Sequence, residues 1–152
     1  MAYEQLKLGN QLCFPVYAAS RLITREYQPF LDKLGITYPQ YLVLMILWEN
    51  DGLPVNDIAK KLILNTNTIT PLLKRMEKDG MIRRKRSGED ERKVIVQLTG
   101  KGRALQEEAA QIPEQLAARL VEGELMIDDL VRLKGMLDSM IRSLSKQTDR
   151  EM

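Results

Sequence analysis

The chain has 152 residues, 44% apolar and 29% charged, with a formal net charge of +2, the composition of a globular domain rather than a disordered one. One cysteine and no histidine exclude an internal disulfide framework and a histidine-based catalytic pair, and make a zinc site unexpected. No cofactor or metal is expected. No apolar run approaches the roughly 20 residues of a membrane span, and residues 1–10 lack the apolar core of a signal peptide, so a cytoplasmic protein without membrane contact is the expectation.

The first helix is expected from about Cys13–Pro15 to Leu34. Val16, Ala19, Ile23, Tyr27 and Phe30 recur three and four apart, and Gly35 supplies a C-terminal stop. Before it, Leu6, Leu8 and Leu12 form an apolar lead-in compatible with helix. Thr37-Tyr38-Pro39-Gln40 has the pattern of a capping box, with the threonine capping and the glutamine reaching back. The second helix then runs to about Glu49, and Tyr41 to Trp48 leave it almost no polar face. A helix apolar all round belongs at the centre of a fold. Asn50-Asp51-Gly52 turns the chain into the third helix.

Val55, Ile58, Ala59 and Leu62 repeat at helical spacing from Pro54 onward, the chain breaks at Leu64-Asn65, and Ile69, Leu72, Leu73 and Met76 repeat it. Two helices this short must pack on each other across a tight turn, the helix-turn-helix arrangement that lays its second helix in a DNA major groove. Asn65 is an N-cap for that helix, and Lys78-Asp79-Gly80 ends it. Met81–Arg86 and Lys93–Leu98 read as strands joined by Ser87-Gly88-Glu89-Asp90, a basic wing directly behind the recognition helix. Thr99 caps a long fifth helix that Pro113 should kink or divide. After Gly123, Leu130, Leu133, Leu137, Met140 and Leu144 form a narrow seam like that of a coiled coil.

The expected fold is therefore mainly α with a small β-hairpin wing. One domain would span 1–152, with a winged helix-turn-helix at 36–99 and helical dimerisation regions at 1–35 and 100–152. Dimerisation would give the terminal helices a partner and match a pseudo-palindromic operator on double-stranded DNA.

Charge supports the assignment. From Lys60 to Arg103 there are 13 Lys/Arg against 5 Asp/Glu, while the remainder holds 10 against 16. A basic block confined to the helix-turn-helix and wing of an otherwise acidic body is the footprint of a nucleic-acid face. With its apolar stripe inward, the fourth helix presents Thr66, Asn67, Thr70, Pro71, Lys74, Arg75 and Lys78, with Thr68 at the edge. The short polar groups suit base edges or phosphates, Arg75 reaches guanine bidentately, and Lys74 and Lys78 suit phosphates. At the wing tip Arg92 can enter a narrow minor groove with Asp90 bracing it. Residues 83–86 alternate across a strand, so about half of them face DNA; Arg86 is assigned to that half.

These segments resemble the MarR family of winged-helix regulators, whose wing signature matches Asp90-Glu91-Arg92 and Val94 to Thr99. Asn10-Gln11-Leu12-Cys13-Phe14, Ile36 to Tyr41 and Leu72 to Glu77 are similar to the one-cysteine organic-hydroperoxide-resistance (OhrR) subgroup. The resemblance reaches to about Pro113. It implies a dimeric repressor, not an enzyme, that releases its operator when a cysteine is oxidised by an organic hydroperoxide. It puts Cys13 at the sensing position, Tyr27 and Tyr38 as hydrogen-bond donors to the sulfur, and Tyr17 as a further aromatic of that region. It also carries Thr66, Thr68, Arg75 and Arg92 over as DNA contacts.

Independently, a thiol reacts as thiolate, which a helix N-terminus favours, and Pro15 prefers a helix's first turn, so Cys13 is expected close to one. With no second cysteine, the oxidised sulfur is expected to pass from sulfenic acid to a mixed disulfide with a low-molecular-weight thiol, or to over-oxidation. Three other readings stay open on residues alone: a ligand-controlled regulator with Cys13 incidental, a thiol peroxidase, and an architectural DNA protein without sequence choice.

Overall fold

The computed structural model describes residues 3–151, with side chains to 147; the ends of the expected 1–152 domain, and the first two residues of the leader region, lie outside them. The chain divides into two compact units, residues 1–112 and 113–152. In the first, 3-10 turns at Glu4–Leu6 and Leu8–Asn10 precede α1 (Cys13–Leu34), α2 (Tyr38–Glu49), β1 (Leu53–Pro54), α3 (Val55–Leu62), α4 (Thr66–Lys78), β2 (Ile82–Arg86), β3 (Val94–Leu98) and α5 (Gly100–Ala109). Next come α6 (Ile112–Leu120), which starts at the boundary, and α7 (Ile127–Glu151).

The core forms around α2, as its lack of a polar face requires: Tyr41, Val43, Leu44 and Leu47 are buried. They pack in one cluster with Leu31, Ile36, Ile58, Ile69, Leu73, Met76, Ile82, Val96 and Leu98. The buried polar residue Gln40 is satisfied by the capping box: the Thr37 N–H donates to its Oε1 at 3.0 Å, and its own N–H donates to Thr37 Oγ1 at 3.4 Å. α1 ends as expected on left-handed Gly35, φ 69°.

Two details differ from the sequence expectation. The sheet has three antiparallel strands in the order β1-β3-β2, not a hairpin alone, with Leu53 opposite Val96 and Pro54 opposite Ile95. Proline is tolerated because β1 is an edge strand, and Pro54 is both its second residue and the N-cap of α3. Next, the α3–α4 turn bends at Ile63, left-handed at φ 56° and ψ 44°, where glycine or asparagine is usual. The long fifth helix divides, one of the two outcomes expected of Pro113: α5 stops at Ala109 and α6 restarts at Ile112, so Pro113 falls in its first turn, where its missing N–H costs least.

Two polar ties hold β3 and α5 against the end of α2. Asp51 accepts the Gly52 and Leu98 N–H groups at 2.9 Å each, and the Arg103 guanidinium at 3.1 Å. Gly102 lies so close to β2 that a Cβ would sit 2.2 Å from the Met81 carbonyl oxygen. Its own carbonyl accepts the Trp48 indole N–H at 2.9 Å.

Candidate nucleic-acid interface and thiol position

α4 is fixed by the cap and by the core. Asn65 Oδ1 accepts the Thr68 N–H at 3.0 Å and the Thr68 hydroxyl at 3.2 Å, so Thr68 rather than Thr66 shares the capping. Ile69, Leu73 and Met76 are fully buried. Thr66, Asn67, Thr68, Pro71, Lys74, Arg75 and Lys78 are consequently exposed, and Thr70 is half-buried.

The wing tip is built from side-chain turns. Ser87 Oγ accepts the Glu89 and Asp90 N–H groups at 3.3 and 3.4 Å. Asp90 Oδ1 accepts the Arg92 N–H at 3.0 Å and its Nε–H at 3.4 Å, while the Arg92 side chain stays 93% exposed. The carboxylate thus steers the guanidinium without covering it.

In β2, Arg84 and Arg86 share one face with Ile82, and Arg83 and Lys85 take the other. Arg84 is tied back to α4: Glu77 accepts its backbone N–H at 2.9 Å and its Nη2 at 3.1 Å. The Arg84 N–H bond, more than its charge, holds the Glu77 carboxyl below the usual carboxylate range. Sequence reading missed this pair, since residues seven apart across a helix-to-strand turn carry no periodic signal. Thr66, Thr70 and Arg92 line a common cleft of about 430 Å³.

Cys13 is the first residue of α1 and exposed. Tyr27 and Tyr38 meet elsewhere, ring centroids 5.0 Å apart, with Tyr41 as a third member 5.7 Å from Tyr27 and 6.4 Å from Tyr38. Tyr41 was read from sequence as core alone; its place three residues after Tyr38 on one helix was the available signal. Burial, then the neighbouring phenols, pushes the Tyr27 hydroxyl up to about 12, and burial raises Tyr38 and Tyr41. All three are therefore hydroxyl donors at neutral pH. Tyr17 is apart from them and exposed, with the Arg21 guanidinium 5.5 Å from its ring centroid.

The cysteine and the phenols do not meet within one chain. Fourteen residues of one helix separate Cys13 from Tyr27, an axial distance of about 21 Å at 1.5 Å per residue, beyond the combined reach of the two side chains.

A half-buried recognition helix, a braced arginine at a wing tip and a basic block joining them define a winged helix-turn-helix transcriptional regulator. Comparison with known proteins agrees. The family described as transcriptional regulator SarA/Rot matches residues 25–109, and the chain belongs to it. An organic hydroperoxide resistance transcriptional regulator of Bacillus subtilis is 46% identical over 95% of this chain and 97% of its own length. The regulator MgrA of Staphylococcus aureus is 38% identical over 87% of this chain and 90% of its own.

Among solved structures, reduced AbfR bound to DNA superposes with a TM-score of 0.78 at 36% identity, covering 96% of this chain and 98% of that one; AbfR is a protein of Staphylococcus epidermidis. The motif resemblance to hydroperoxide-resistance regulators is thus borne out, and these relatives are regulators rather than enzymes. No helix among the described residues is long and apolar enough to cross a membrane.

Proposed function

We propose that this regulator is a cytoplasmic, homodimeric repressor that holds a pseudo-palindromic operator while reduced and leaves it when an organic hydroperoxide oxidises Cys13. The observation that carries the reading is an exposed lone cysteine at the head of α1 in a chain 46% identical to a hydroperoxide-resistance regulator. The DNA contacts proposed are Thr66, Asn67, Thr68, Thr70, Pro71, Lys74, Arg75 and Lys78 on α4, with Arg86, Asp90 and Arg92 on the wing.

The helical separation of Cys13 from Tyr27 gives the dimer a chemical role. Protonated phenols stabilise a thiolate by donating to it, and here Tyr27 and Tyr38 can do so toward the sulfur of a second copy. The thiolate attacks one peroxide oxygen, the O–O bond breaks, and the sulfur becomes a sulfenic acid as the alkoxide leaves and takes a proton. A low-molecular-weight thiol then attacks that sulfur, forming a mixed disulfide and releasing water. AbfR has been captured in an overoxidised state bound to DNA, which favours the mixed disulfide over further oxidation as the species that lets go in this chain. A bias of ~1.4 kcal/mol against the DNA-competent spacing lowers affinity tenfold.

The test is footprinting on the upstream region of its own gene, with reduced protein and with protein treated with cumene hydroperoxide and cysteine. Protection is expected to disappear on treatment and to persist in Cys13→Ser. A serine variant that still releases DNA would remove Cys13 as the sensor.

A further inference from the structure

If α4 occupies a major groove and the wing tip the adjacent minor groove, one sugar-phosphate strand divides the two grooves and must cross between these elements. The crossing point in this chain is the cleft of about 430 Å³ between α4, the wing and the start of α3. We infer that this cleft seats that single phosphodiester strand, held by Lys93, Arg84 and Asn56, three residues outside the base-reading set. The inference rests on the DNA-binding reading above and adds its backbone clamp.

Each side chain has a physical reason to serve. Lys93 is exposed where the wing re-enters the sheet, and its ammonium makes no ion pair among the described residues. Arg84 reaches the cleft from β2, and Glu77 holds its Nε and Nη2 at 3.4 and 3.1 Å. That grip pre-orients the fork and leaves Nη1 for a phosphate oxygen, which makes Glu77 a positioning residue. Asn56 sits in the first turn of α3, beside backbone N–H groups that the helix itself does not use. Asp57 lines the same wall with the opposite sign, so the clamp attracts a phosphate less than its cations alone would.

A backbone clamp reads no bases, so an arbitrary duplex tests it. Anisotropy titrations with a fluorescein-labelled 24-base-pair duplex of random sequence, across a salt series, give the slope of log affinity against log salt. Losing one phosphate contact should reduce that slope by about 0.9 and weaken binding about eightfold at 0.1 M salt. Lys93→Ala is expected to show both effects, and Asp57→Asn to tighten binding. Lys85→Ala, on the opposite face of β2, should leave the slope unchanged.

Lys93→Ala and Asn56→Ala leave the Glu77–Arg84 tie intact, so their effects do not depend on a weakened wing. If the wild type binds the duplex but Lys93→Ala keeps its slope or Asn56→Ala its affinity, or if Lys85→Ala lowers the slope as much as Lys93→Ala, the clamp is overturned while the regulator reading stands. A wild-type protein that binds no duplex overturns both.

Discussion

α4 and the start of α1 are both amphipathic, yet one finds its apolar partners inside the chain and the other does not. Ile69, Leu73 and Met76 on α4 have no solvent exposure, whereas Phe14, Val16, Tyr17 and Leu22 near the start of α1 remain open. On α7, Val131, Leu133, Met136, Met140 and Ile141 are exposed as well. The reading head buries its apolar stripe within one polypeptide, while the start of α1 and, separately, α7 each leave several large apolar side chains open to solvent, a feature that marks interaction sites where such residues cluster. Stability and association should accordingly be separable by mutation, region by region.

The largest effect tests that separation. Ile69→Ala should lower unfolding free energy by about 2–5 kcal/mol through lost burial and a residual cavity. Met136→Ala on α7 should change it by no more than about 0.5 kcal/mol at concentrations where the chain is monomeric. Chemical denaturation reads the first, and sedimentation across a dilution series reads the second, in which Met136→Ala should raise the dimer dissociation constant. If Met136→Ala destabilised the isolated chain as much as Ile69→Ala, the contrast between head and arms would be false.

Gly102→Ala sharpens the comparison at the joint between α5 and the sheet. A Cβ there would meet the Met81 carbonyl oxygen at 2.2 Å and the Leu98 Cδ2 at 3.1 Å. The first of these is backbone, which cannot rotate aside, so α5 must shift away from β2. The expected cost is about 1–3 kcal/mol, against the gain of up to ~1 kcal/mol that alanine brings to an ordinary helix position. A melting temperature at or above wild type would show that the joint yields.

How much was legible beforehand follows from the same division. Helices with strong three-four periodicity were read to within a few residues, and the capping pattern at Thr37–Gln40 was found as the sequence spelled it. β1 was invisible because two residues carry no period. Ile63 was missed because a β-branched residue in left-handed backbone costs about 1–2 kcal/mol, so its type argues against the conformation it adopts. At the thiol, the residue types and the single helix carrying Cys13 and Tyr27 were both legible, and what stayed hidden was the packing that gathers Tyr27, Tyr38 and Tyr41. The family resemblance put Cys13 and Tyr27 in one constellation, and the continuous α1, found where it was expected, means that a single copy cannot assemble it.

The smallest effect concerns the wing alone. Glu77 stabilises the α4–β2 corner in its ionised form, accepting the Arg84 N–H at 2.9 Å and the guanidinium at 3.1 Å, and its carboxyl titrates lower in the folded chain than in the unfolded one. A carboxyl depressed in this way contributes its full stabilisation above its unfolded value of about 4.3, and loses it as pH falls through the lower folded value. Because the pair is partly open to solvent, the contribution is screened and modest. Amide exchange at Arg84 is the suitable measurement. Corrected for intrinsic rates, its protection should fall as the solution is acidified through that window, while amides of the buried α2 segment 43–47 keep theirs. Glu77→Gln should lower protection at Arg84 at neutral pH and abolish the acid-dependent step. If the variant retained that step, another carboxyl would be closing the corner.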